Sequence, residues 1–178
     1  MILLLNGAFG IGKTTVARSM VARLPRAVLF DPELLGVVMQ RAARLFGRPV
    51  DDFQDLRWWR RLTIAGLRAT RVLFPNIIVP MAFSNAAYLE EIRRGIGRFE
   101  PRLLHFCLVA PVEVVHQRLR NRGEDQGAAA WQYRRASECC IAHASAAFAT
   151  HVPAVDRDPD HIAEELLRRA ELLHNRAP

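Results

Sequence analysis

An apolar run of strand length, Met1 to Asn6, leads directly into Gly7-Ala-Phe-Gly-Ile-Gly12-Lys13-Thr14, and a helical pattern begins at once behind it. That succession constrains the chain more than any other feature. The eight residues fit G-x-x-x-x-G-K-S/T without a mismatch. Glycines open backbone conformations closed to other residues, so successive N–H groups can turn inward around phosphate oxygens. The following helix aims its N-terminal dipole at the same anion. Lys13 is placed to supply positive charge to the outer phosphates and Thr14 a hydroxyl to Mg²⁺. The predicted nucleotide site therefore comprises Gly7, Ala8, Phe9, Gly10, Ile11, Gly12, Lys13, Thr14 and Thr15, and its ligand is a nucleoside triphosphate.

The rest of the chain alternates in the same way. Residues 13–24 read as a helix stopped by Pro25, residues 27–30 as a strand, and 33–46 as a helix. Asp51-Asp52 can cap a helix from Phe53 to about Phe74. Asn76 to Val79 is a continuous apolar strand, as expected where both faces are buried. Ala86 to Arg94 follows as a helix that Gly95-Ile-Gly97 should break. Leu103 to Val109 is the fourth strand, Pro111 to Arg120 a helix, and 124–130 a polar, mobile loop. A helix from Trp131 to about Phe148, a strand over 152–155 and a helix capped by Asp160 and running to about His174 complete the pattern. Alternating strands and helices predict an α/β fold, a five-stranded parallel sheet between two helical layers. No repeat or linker divides residues 1–178, so one domain is expected, with a lid at about 121–135.

Composition narrows the class. The 178 residues are 51% hydrophobic and 24% charged, ordinary for a globular chain. No run reaches the roughly 18–20 apolar residues that span a bilayer, and Met1 to Leu5 lacks the basic flank of a leader peptide. Three cysteines, two of them adjacent, do not form a disulfide framework. A cytoplasmic protein is expected. The net charge of +7 could suggest nucleic acid, but the arginines are dispersed among acids and no basic tract alternates with aromatics, so none is expected as partner. Of 25 basic side chains only Lys13 is lysine. It survives where a compact ammonium serves better than a planar fork.

In an open α/β sheet a second ligand also lies beyond the carboxyl ends of the strands. Asp31, at the end of the second strand, is thereby directed at the terminal phosphate, where a carboxylate can orient or deprotonate an acceptor hydroxyl. Glu33 shares that location, although acids in a first helical turn are common. Arg57 and Trp58, beside Trp59, are candidates to hold the acceptor, with core packing as the alternative for the tryptophans. Arg118 and Arg122 share a helix face ahead of the polar loop, with Arg134 and Arg135 beyond it, as suits a lid that stabilises transferred charge. Asp156-Arg157-Asp158-Pro159 falls where a purine ring would rest. The third strand ends Val79-Pro80-Met81, without the acid that many phosphate-loop proteins place there. His105 reads as a core histidine, and no histidine or cysteine has metal-ligand spacing. Ile162, Leu166, Ala170 and Leu173 form an apolar stripe, for packing on the sheet or for a peripheral membrane contact. No integral membrane segment is expected, and the oligomeric state stays open.

Asn6-Gly-Ala-Phe-Gly10 with Gly12-Lys-Thr14, Asp31-Pro-Glu33 with Gly36, Asp51-Asp-Phe-Gln54 and Ile78-Val-Pro-Met81 together resemble the bacterial tunicamycin-resistance ATP-binding proteins. The matches cover about the first half of the chain. The resemblance implies a fold like the small-molecule kinases, ATP binding, and protection against a uridine-containing, lipid-linked antibiotic, and it makes the Pro-Met strand end a family trait. Two readings follow. In the first, Lys13, Asp31, Arg118 and Arg122 are catalytic in transferring the ATP γ-phosphate to a hydroxyl of tunicamycin or a similar small molecule. Asp31, Glu33, Arg57 and Trp58 then bind the acceptor, and Thr14 binds the metal. In the second, the protein sequesters tunicamycin without modifying it.

Overall fold

The computed structural model describes residues 1–33, 36, 52–123 and 130–174. Most of the helix expected over 33–46, the Asp51 cap and the loop 124–129 lie outside the described residues. Among them the elements run β1 (Ile2–Gly7), α1 (Lys13–Arg23), β2 (Ala27–Leu29), a 3₁₀ turn (Phe53–Asp55), α2 (Arg57–Leu73) and β3 (Asn76–Met81). α3 (Ala86–Gly97), β4 (Leu103–Val109), α4 (Val112–Asn121), α5 (Ala130–His143), a second 3₁₀ turn (Ala146–Phe148), β5 (His151–Pro153) and α6 (Pro159–His174) follow.

The five strands form one sheet in the order β2-β3-β1-β4-β5, parallel throughout. β1 is central, and its Ile2, Leu3, Leu4 and Leu5 are all fully buried. The period of two explains why both sets of side chains are apolar. Leu3 and Leu5 join the core formed with α1, α4, α5 and α6. Ile2 and Leu4 face the opposite core, with α2 and α3. Fully burying such a side chain is worth about 1.5–3 kcal/mol, so β1 anchors both helical layers and fixes the position of the loop that follows it.

The expected three-layer architecture is present, with local differences that have physical causes. β3 continues through Pro80 to Met81 rather than ending at Val79. β2 pairs with β3 only as far as Leu29, with one further bond from the Phe30 N–H to the Ile78 carbonyl (2.9 Å). In the alternating ladder the missing N–H of Pro80 faces the flank beyond the end of β2, so it costs no bond. The helix expected from Phe53 begins as a 3₁₀ turn, and α2 starts at Arg57. Asp52 caps that turn through the Gln54 N–H (2.9 Å), and the Gln54 carbonyl is taken by the Arg60 guanidinium (2.5 Å) instead of a helical partner.

α3 runs through Gly95 to Gly97 rather than breaking at Arg94. A Cβ at Gly95 would stand 2.4 Å from Ile64 Cδ1, so this glycine is a close contact between α2 and α3 rather than a stop. The helix expected to reach Phe148 ends at His143, where the Ser145 hydroxyl accepts from the Ala147 N–H (3.3 Å) and starts a separate 3₁₀ turn. That turn delivers Phe148 to the α2–α3 core. The last strand occupies 151–153, slightly earlier than expected. At α6 the side chain accepting from the first turn is Asp158, bonded to the Asp160 N–H (2.7 Å). Asp160 instead accepts from the Ser19 hydroxyl (2.5 Å) and tethers α6 to α1.

Candidate functional site

The site is built at the carboxyl edge of the central strands. β1 ends in Asn6, whose carboxamide makes two bonds to Phe83: the Phe83 N–H donates to Oδ1 (2.9 Å) and Nδ2 donates to the Phe83 carbonyl (3.2 Å). His143 adds a bond from Nε2 to the same carbonyl (2.7 Å). These contacts extend the β1–β3 register past Met81 and fix the start of the loop. A polar residue closing an all-apolar strand was the sequence signal for this role.

The loop itself needs glycine at two points. Gly10 and Gly12 have φ of 83° and 103°, conformations that strain any residue with a Cβ. Gly12 is the N-cap of α1 and has no side chain with which to cap it. The α1 first turn also contains no acidic residue, so its N-terminal amides and dipole are left for an external anion. Lys13 is buried, with Nζ 3.9 Å from Glu33 Oε1 and 4.9 Å from the centre of the Phe9 ring. Thr14 is half-buried and Thr15 exposed at the same helix start. A lone threonine hydroxyl suits Mg²⁺, which retains waters and binds phosphate oxygens rather than a full protein cage. No cluster of three or more metal-ligating side chains occurs among the described residues.

The two acids after β2 differ in what their side chains meet. Asp31 Oδ1 accepts from the Glu33 N–H (2.9 Å) and shapes the turn through Pro32. Glu33, given less weight, is the acid that faces Lys13. Its Oε1 is buried without a hydrogen-bond partner among the described residues. Burial pushes its carboxyl up from the ordinary glutamate range, against the pull of Lys13, and the nearby Asp31 and Asp52 push the same way. The segment is held from behind by Trp59, 1% exposed, whose indole N–H donates to the Pro32 carbonyl (2.9 Å). Its neighbour Trp58 is 67% exposed beneath the Arg61 guanidinium, and Arg57 is exposed as well.

Two clefts bear on the site, one lined by the loop and one reached through the Phe9–Trp131 contact. One, of about 360 Å³, lies between Gly10–Gly12, Arg118, Arg122, Arg157 and Pro159. Arg118 is a strut in its wall: its guanidinium donates to the Ile11 carbonyl (2.9 Å) and the Ala154 carbonyl (2.7 Å). It thereby ties the phosphate loop to the segment after β5. Arg122 is exposed at the end of α4, where Gly123, with φ of 77°, closes the helix. The other cleft, of about 490 Å³, lies between Asp52–Asp55, Ser84–Tyr88 and the start of α5. Trp131, at its edge, packs edge-on against Phe9 with ring centres 5.3 Å apart. Arg135 crosses it to Asp52 (2.7 Å). Burial raises the Asp52 carboxyl even so, opposed by the Gln54 amide and Arg135. Phe9 was expected only as part of the loop. Trp131 and the Asp52–Arg135 pair were not expected in a second cleft, because nothing local in sequence joins residues so far apart.

The AAA domain family matches the chain over residues 2–147. No curated protein matches it. Among solved structures it is similar to the tunicamycin resistance protein of Deinococcus radiodurans, with a TM-score of 0.76 and 24% identity over 96% of this chain and 95% of that one. It is also similar to a gluconokinase from Sinorhizobium meliloti 1021 (TM-score 0.66, 16% identity, 99% and 97% of the two chains). A shikimate kinase from Acinetobacter baumannii, solved with shikimate, has a TM-score of 0.58 at 16% identity over 99% and 95%. These likenesses show the fold alone, a P-loop kinase-like α/β domain.

Proposed function

The chain belongs to the AAA domain family, and from that premise we propose that it is an ATP-dependent phosphotransferase acting on a hydroxyl of tunicamycin or a similar small molecule. The observation that carries this reading is the opposition, across 3.9 Å, of the Lys13 ammonium at the α1 N-terminus and the Glu33 carboxylate, whose Oε1 is buried. The loop amides and Lys13 bind the β- and γ-phosphates, and the Arg118 strut keeps that loop in register with the cleft that receives the base. Thr14 would hold the divalent ion, which supplies charge neutralisation on the phosphates when bound. The acceptor hydroxyl oxygen forms a bond to the γ-phosphorus as the bond to the β–γ bridging oxygen breaks, and ADP leaves. Glu33 takes the hydroxyl proton, its carboxyl already raised toward the range useful to a base. Asp31 orients Glu33 through the backbone bond, and Arg122 supplies lid charge. Positioning and charge stabilisation are what in-line phosphoryl transfer requires.

The acceptor's identity rests on the resemblance in the first half of the sequence and on the similarity to the Deinococcus radiodurans protein. A cytoplasmic site of action fits the finding that no described helix is long and apolar enough to cross a membrane. Incubation with γ-labelled ATP and tunicamycin tests the reading. Label appears on the drug with the native protein and falls by roughly 10²-fold or more with Glu33→Gln; transfer unchanged in that variant removes Glu33 from the mechanism. A second reading, sequestration of unmodified tunicamycin, is favoured by the Pro80-Met81 end of β3, which lacks an acid. Stoichiometric, nucleotide-dependent binding of drug recovered at its original mass would establish that alternative.

A further inference from the structure

The outward face of α2 carries a pattern that the nucleotide site does not use. Trp59, Arg60, Thr63 and Leu67 turn inward and are buried. On the opposite side Trp58, Leu62, Ala65, Ala69 and Val72 recur at alternating intervals of four and three residues. All five are exposed, Trp58 at 67% and Val72 at 82%. A mean spacing of 3.5 residues keeps a row of side chains facing one neighbour, and it is the seam by which helices pair. Leu73, also exposed, widens the row at its C-terminal end. Large side chains stand at both ends and two alanines at the centre, so the seam presents a notch rather than a level apolar surface. The charge beside it is of one sign. α2 holds five arginines and no acid. Arg60 and Arg71 are engaged from α3 and beyond it, by Glu91 (2.7 Å) and Glu100. Arg57, Arg61 and Arg68 are exposed along one flank of the seam. None of these three pairs with a carboxylate among the described residues. Arg61 and Arg68 directly precede the seam residues Leu62 and Ala69, the flanking positions from which paired helices exchange ion pairs.

Possible occupants of this face differ in what they would gain. A second copy laid antiparallel brings Arg61 opposite Arg68 of the other copy, and one laid parallel offers neither arginine an acid of α2, so like charge opposes self-pairing. A bilayer gains from bulky apolar side chains and has no fixed knob to fill a central notch. A helix with its own apolar seam sets a side chain against Ala65 and Ala69, and acids along its flank meet Arg61 and Arg68. We propose that the outer face of α2 docks an amphipathic helix of another protein, acidic along one flank. Trp58, Leu62 and Val72 are its apolar anchors, Ala65 and Ala69 the notch, and Arg61 and Arg68 the selectors of charge. The face lies across α2 from Trp59, so the inference is independent of the phosphotransferase reading. A contact of about four helical turns is small, and the pairing is reversible, with a Kd of roughly 1–100 μM.

The test is binding of labelled synthetic peptides to the full chain, followed by fluorescence anisotropy. The probe is a three-heptad peptide with leucine at both seam positions and glutamate at both flanking positions, whose own charges keep it monomeric. The control carries lysine in place of each glutamate. The glutamate peptide binds about tenfold or more tightly than the lysine peptide. Ala69→Gln, which blocks the notch without changing charge, weakens the glutamate peptide by about tenfold. Arg61→Glu combined with Arg68→Glu reverses the preference, so that the lysine peptide binds about tenfold or more tightly than the glutamate peptide. Mere loss of structure does not produce such a gain. Equal binding of both peptides by the native protein overturns the assignment, and so does failure of the glutamate peptide to bind at about 100 μM. Sedimentation velocity and flotation with vesicles of phosphatidylglycerol and phosphatidylcholine address the other occupants. The native protein stays monomeric through this face and leaves the vesicles unbound; self-association that Ala69→Gln abolishes, or vesicle binding that Trp58→Ala abolishes, assigns the face to a second copy or to a membrane instead.

Discussion

Replacing Trp59 by phenylalanine tests how the core positions the acidic segment. The ring is 1% exposed, packs 5.8 Å from Phe83 and donates to the buried Pro32 carbonyl at 2.9 Å. The substitution leaves about 40 Å³ unfilled, which at roughly 24 cal/mol per Å³ costs about 1 kcal/mol. It also leaves the Pro32 carbonyl without its donor, a penalty of about 1–3 kcal/mol. The expected loss is therefore about 2–4 kcal/mol, and for a chain of this size each kcal/mol lowers Tm by about 2–4 °C. Urea unfolding followed by circular dichroism measures the loss directly, with the slope m unchanged. Trp58→Phe, at the exposed neighbouring position, is the internal control and stays within about 0.5 kcal/mol of the native protein. Because Trp59 anchors Pro32 between Asp31 and Glu33, turnover of any acceptor falls more than nucleotide affinity does. A Trp59→Phe protein as stable as the control would show that the indole bond does not hold this segment.

Two further outcomes follow from packing and from buried histidines. Gly95→Ala destabilises by about 1–3 kcal/mol despite the helix propensity of alanine, because its Cβ meets Ile64 at 2.4 Å, whereas Gly97→Ala, with open space around it, does not; paired urea titrations that fail to separate the two variants refute the contact. His105 and His143 are buried, and burial lowers both from 6.5 to about 4. A folded pKa below the unfolded one means that their contribution is complete above pH 6.5 and is lost as pH falls toward about 4, by up to about 3 kcal/mol for each. Unfolding free energies measured from pH 7 to pH 4 decline accordingly, and His105→Gln removes about half of that slope; an unchanged slope contradicts the assignment.

The parts legible in the sequence were those that local pattern dictates. β1, the phosphate loop, α1 and β4 follow from an apolar run, a glycine pattern and a helical period, and these elements alone position the loop. The sequence was less informative where tertiary contact decides. Gly95 looks like a helix stop until Ile64 is placed against it, and residues 144–148 look helical until Phe148 is needed in the opposite core. Asp31 attracts attention because it ends a strand, yet its Oδ1 is bonded to the Glu33 backbone and the side chain of Glu33 faces Lys13. Arg118 reads as a mobile lid charge and proves to be fixed to two carbonyls. The second cleft was out of reach for the same reason, since the Asp52–Arg135 pair spans 83 positions of the chain.

The central claim is that the loop and its lysine form a ready-made cradle for the phosphates of a nucleotide. Calorimetric titration of the native protein and of Lys13→Ala with a non-hydrolysable ATP analogue and Mg²⁺ tests it most directly. The account predicts single-site binding by the native protein and a loss of about 100-fold, or roughly 3 kcal/mol, in the variant. Affinity within twofold of native, or no binding by either protein, would contradict it.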